Sequence, residues 1–112
     1  MQLVNFLKNV RRLGRLELRS QRIKLLTLRA TEAKNTALVA TYAKETKRRG
    51  SEIAYLADRI EADLEDNPAW AGPAGEIREA VMDGSRGSSK AKALMGAAIA
   101  ASTAQATAAA TE

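Results

Sequence analysis

The chain has 112 residues, enough for one small domain and too few for two independent cores, and it contains neither cysteine nor histidine. That excludes disulfides, thiolate chemistry, the usual zinc ligands and the commonest general base. The formal net charge is +5, but the two signs are segregated: residues 1–50 hold 13 basic and 3 acidic residues, and residues 51–83 hold 2 basic and 9 acidic.

Hydrophobic residues make up 46% of the chain, yet much of this is alanine, and the aromatic residues are only Phe6, Tyr42, Tyr55 and Trp70. Alanine buries little area, so at about 25 cal/mol per Å² the core is thin. Such a chain favours long helices packed on neighbours. No run approaches about 20 consecutive apolar residues, so no transmembrane helix is expected. The start of the chain lacks the apolar run and small-residue cleavage pattern of a signal peptide. The expected location is a virion or the cytoplasm.

From Met1 to Arg49 there is no proline, and Gly14 is the only glycine. Leucine, arginine, lysine, glutamate and alanine dominate, all good helix formers. The pattern predicts one long basic helix over residues 2–49, free to bend at Gly14 and stopped by Gly50 behind Lys47, Arg48 and Arg49. At ~1.5 Å per residue that helix is roughly 70 Å long. It is expected to protrude or to pack against other subunits.

Residues 10–29, "VRRLGRLELRSQRIKLLTLR", carry six arginines and one lysine against one glutamate. On a helical wheel Lys8, Arg11, Arg12, Arg15, Arg19, Arg22 and Arg29 share an arc of about 100°. The arginines are the candidate interaction surface. Leu3, Phe6, Leu7, Val10 and Leu13 occupy a separate arc, the candidate membrane or docking face. Beyond Gly14 the apolar residues form two rows. One holds Leu18, Leu25 and Leu28, and the other Leu16, Ile23, Leu26 and Ala30, with spacing like a coiled-coil seam. These six large residues, Leu16, Leu18, Ile23, Leu25, Leu26 and Leu28, are the candidate oligomer seam, since a helix with two apolar rows has more than one neighbour.

Ser51 is expected to cap an acidic amphipathic helix over residues 50–66, with Ile53, Leu56, Ala57, Ile60 and Leu64 on one side and Asp58, Glu61, Asp63, Glu65 and Asp66 around them. Antiparallel packing across Gly50 would set this acidic arc against the basic one. Residues 67–90 read as a Pro/Gly/Ser-rich turn, a short helix opened by Pro73 and ended at Met82, and a linker. Trp70, between Pro68 and Pro73, is expected to pack that turn against a helix. Residues 91–112 read as an alanine-rich helix or tail, capped by Ser88 or Ser89. The expected fold is all-α, without strands, extended rather than compact and packed in an oligomer.

No catalytic constellation emerges. "GSRGSSK", residues 84–90, has the ingredients of a phosphate loop, but it departs from the required spacing and follows no strand. The acidic residues spread around their helix and focus no oxygens on a cation. The chain is therefore expected to be no enzyme, with no cofactor, no metal and no small-molecule substrate. Its size and composition point to a structural or assembly protein, a homo-oligomer or a subunit of a large complex such as a bacteriophage virion. The alternatives are a nucleic-acid-binding accessory protein using the arginines and a peripheral membrane-binding protein using residues 1–13.

Overall fold

The computed structural model describes residues 2–83 and 87–111. Four helices account for nearly all of them: α1, Gln2–Glu32; α2, Thr36–Asp66; α3, Ala71–Met82; and α4, Gly87–Thr111. A single 3-10 turn, Pro68–Trp70, joins α2 to α3. Among the described residues there is no strand, as the composition predicts.

The expected helix over residues 2–49 is instead two antiparallel arms, and the break lies at Ala33–Asn35. Lys34 takes the left-handed conformation, φ 57°. Its N–H donates to the Thr31 carbonyl at 3.0 Å, and that of Asn35 donates to the Ala30 carbonyl at 2.9 Å. This pair of bonds satisfies the carbonyl end of α1 in the Schellman pattern. Asn35 then caps α2, its side-chain oxygen accepting from the Leu38 N–H at 3.2 Å. Two polar residues, one in a conformation that glycine usually fills, thus make the turn.

Gly50 and Ser51 correspondingly lie inside α2, neither stopping nor capping a helix. The Ser51 hydroxyl donates back to the Lys47 carbonyl at 3.3 Å. The expected boundary between a basic helix ending at 49 and an acidic helix starting at 50 therefore disappears into one continuous helix. Packing of α1 along α2 outweighs the ~1 kcal/mol that glycine costs in a helix interior. Gly14 likewise leaves α1 uninterrupted. Its role is proximity: a Cβ there would sit 3.2 Å from Cγ1 of Val81 on α3.

α3 runs beside the first half of α1, from Phe6 stacked on Trp70 (ring centroids 5.1 Å apart) to Glu17, which accepts from Arg78 at 2.8 Å. α4 then returns along α3. The return is tight, since a Cβ at Gly87 would collide with the backbone oxygens of Ala80 and Val81. The helix therefore starts at Gly87, inside the expected linker, and neither Ser88 nor Ser89 is its cap. Residues 84–86 of that linker, the first three of the phosphate-loop-like stretch, lie outside the described residues, and the rest of that stretch is the first turn of α4. Phe6, Leu7, Val10, Ala74, Ile77, Ala80, Val81, Ala91 and Met95 form the core, with Ile60 and Leu64 closing it from α2.

This core occupies only one end of the molecule, the base. At ~1.5 Å per residue the 31-residue helices α1 and α2 are about 46 Å long and the 12-residue α3 about 18 Å. The far half of the hairpin is therefore a two-helix arm. At the base α4 continues past the core, and Ala100–Thr107 are all exposed. The extents of 68 × 27 × 16 Å follow from arm and tail pointing opposite ways.

Two glycine substitutions separate helix propensity from packing. Gly50→Ala, where an added Cβ meets nothing within 4 Å, is expected to stabilise the fold by about 1 kcal/mol. Gly14→Ala gains the same propensity but overpacks against Val81, at about 1–3 kcal/mol. Urea midpoints should rise for the first and fall for the second.

Candidate interaction surfaces

The residues expected to form a membrane or docking face are internal. Phe6 and Leu7 are completely buried, Val10 nearly so, Leu3 packs against the core and Leu13 is half-buried. An amphipathic stripe has the same period whether it meets lipid or protein. Here α3 and α4 cover it, and no apolar face remains on residues 1–13 for a membrane. No helix among the described residues is long and apolar enough to cross one.

The expected seam divides into a covered row and an open one. Leu16 and Ile23 are buried together with Ala30, and Leu26 is half-buried. Ile23 and Ala30 lie beyond the reach of α3, so α2 alone covers this row. It is the interface between the hairpin's own helices. Leu25 and Leu28 have no such cover, being 58% and 61% exposed, and Leu18 at 36% is only partly covered. On the wheel they continue the side of α1 that carries Leu3, Phe6, Leu7 and Val10. One apolar stripe therefore runs the length of α1: core in its first half, bare in its second.

The arginine surface is partly paired within the chain. Arg12 donates to Glu52, and Arg19 approaches Glu45 at 3.5 Å. Arg49 on α2 also reaches Glu45, at 2.9 Å. Its hydrogen bond holds the Glu45 carboxyl below the usual carboxylate range, against the opposing pull of partial burial and with Arg19 adding to the lowering. The expected match of the basic arc with Asp58, Glu61, Asp63, Glu65 and Asp66 is not what forms: the carboxylates that cross the hairpin to the arginines are Glu45 and Glu52, because α2 starts at Thr36 and its last turns lie beside the start of α1. Among the described residues Arg15, Arg22 and Arg29 form no ion pair, and Arg22 and Arg29 are exposed on the arm.

Between α1 and α2 the side chains of Lys8, Arg11, Arg12, Arg15, Arg19 and Arg49 line one open groove of about 650 Å³, floored by Leu16. Arg49 was not a candidate from the sequence. It joins the site only because the chain reverses at Ala33–Asn35, and recognising that turn was the one route to it. On the opposite edge Asp58, Glu61 and Glu65 remain exposed, while Asp63 lies 3.9 Å from Arg59. Among the described residues no three carboxylates are grouped so as to hold a metal ion.

No protein-family model, curated protein or solved structure matches this chain. Its function therefore has to be read from these surfaces.

The two halves of the α1 stripe should respond differently to truncation. Leu7→Ala, in the core, is expected to cost about 2–5 kcal/mol. Leu25→Ala, on the bare arm, should stay within about 0.5 kcal/mol for the isolated chain. Denaturant unfolding of dilute protein measures both, and equal losses would mean that the arm is covered within the monomer.

Proposed function

We propose that this chain is a non-enzymatic structural protein that self-assembles through helical contacts. The observation that carries the proposal is the open leucine row, Leu25 and Leu28 with the partly covered Leu18, in line with the core stripe on a protruding arm. Single exposed leucines are ordinary, but an aligned row left open at the end of a core is a surface suited to a partner helix. Covering what remains exposed of each leucine contributes on the order of 1 kcal/mol, enough in repeated copies to hold an assembly. The setting we propose is a particle of many small subunits, for which a bacteriophage virion is the example.

Nucleic acid is the alternative partner, favoured by one observation: of the cations that line the groove, Arg12, Arg19 and Arg49 share Glu45 and Glu52, while Lys8 and Arg15 form no ion pair among the described residues. A phosphate backbone would meet excess positive charge there.

Light scattering and salt titration separate the two. Self-assembly requires a mass above that of one chain, returning to one chain in the double variant Leu25→Asp, Leu28→Asp with helicity unchanged, since unpaired buried charge is costly. A wild-type chain that stays monomeric at high concentration contradicts the proposal. Retention of duplex DNA that weakens with salt at about 0.9 log units per phosphate contact, and that is lost in Lys8→Glu, Arg15→Glu, would assign the groove to nucleic acid.

A further inference from the structure

We infer that the leucine row is covered by the projecting end of α4 from a second copy, so that copies associate head to tail. This rests on the self-assembly proposed above and names its occupant. Within one chain α4 already packs on this side of α1. Ala91 and Met95 share the core with Phe6, Leu7 and Val10, and Ala98 and Ile99 close it. Because α4 runs against the direction of α1, its continuation leaves the base, where Ala100–Thr107 are exposed. The same molecule thus carries a stripe without its helix at one end and a helix without its stripe at the other.

The dimensions agree. At ~1.5 Å per residue the uncovered stretch from Leu18 to Glu32 is about 22 Å long, and Ala100 to Thr111 spans about 18 Å. A second copy set base to tip along the long axis brings a helix of that length onto the bare row. It arrives in the direction that α4 already takes against α1. Ser102 and Ala106 continue the face of Ala91, Met95 and Ala98, and their small side chains let the arm's leucines approach closely.

Charge favours the same arrangement. The tip of the hairpin presents Arg29 and Lys34 against the one carboxylate of Glu32, all three exposed. The base presents Asp63, Glu65 and Asp66 at the carbonyl end of α2, which has no basic residue in its last turn. Stacking sets the basic tip against an end that attracts cations. A two-fold contact of row on row would instead bring Arg15, Arg22 and Arg29 against the same residues of the partner. The head-to-tail contact is heterologous, so it repeats into a ring or a filament.

The chain has no cysteine, so single cysteines report the contact directly. Leu28→Cys and Ala106→Cys, each in the full chain, are mixed under oxidising conditions. Both positions are exposed, and circular dichroism checks that helicity is kept. The expected product is the mixed disulfide, in excess over either self-paired one and lost when Leu25→Asp is added to the Leu28→Cys chain. An oligomeric sample in which self-pairing equals or exceeds the mixed product, or in which no disulfide forms, overturns the docking of α4 and leaves self-assembly standing. A light-scattering mass of one chain with no crosslinked product overturns both. Monomeric protein that floats with anionic phospholipid vesicles, and ceases to float with Leu25→Asp, gives the row to lipid and also overturns both.

Discussion

The architecture depends on a mismatch of length. An apolar stripe on α1 needs a covering layer, and α3 and the first half of α4 supply it, with Ile60 and Leu64 of α2 closing its edge. Where they lie, Phe6, Leu7, Ile77 and Val81 exclude water and fold the chain into a four-helix base. Where they end, near Glu17 and Arg78, the hairpin continues as two helices. The close approaches at Gly14 and Gly87 let the short layer sit deep enough to close the core. Base, arm and projecting tail all follow from where this layer starts and stops.

Charge acts differently from the core. The pairs Arg12 with Glu52, Arg19 with Glu45 and Arg78 with Glu17 join α1 to α2 and α3, yet all are at least partly exposed. Exposed pairs contribute about 0–1 kcal/mol each. Their value is in register: sliding α2 by one turn along α1 would break both of the pairs that cross the hairpin and set carboxylates of the acidic stretch against different arginines. The weak interactions thus choose among alignments that the leucines and alanines of the hairpin interface would accept almost equally.

Much of this was legible in the sequence. Helix-forming composition and 3.6-residue spacing carry the all-helical class, and Pro68 and Pro73 mark the corner before α3. The reversal at Ala33–Asn35 was not legible, because its stop signal is cooperative. Lysine is a good helix former, and only the paired carbonyl bonds at Thr31 and Ala30 make its left-handed conformation tolerable. Gly50 misleads for the converse reason: preceded by three basic residues it has the pattern of a helix end, while packing carries α2 through it. For the candidate surfaces, periodicity places Leu3, Phe6 and Leu7 on one side of a helix. It cannot say whether lipid, a partner or the chain itself meets that side. That depends on α3 and α4, which lie far away in sequence. Leu16 and Leu18 show the same limit, being alike in composition and spacing but covered and bare respectively.

The core joins Phe6 and Leu7 to Ala91 and Met95, more than 80 residues later in sequence. The hairpin can zip from its turn by local contacts, but this cluster closes only when α4 arrives. During synthesis the stripe of α1 is therefore made well before the helices that cover it. Until Met95 emerges the nascent chain exposes Phe6, Leu7 and Val10 along with the arm's leucines, a doubled target for chaperones or for premature association on a shared messenger. Completing α4 removes half of that surface at one step, so the chain becomes selective in what it binds only when this helix has been made.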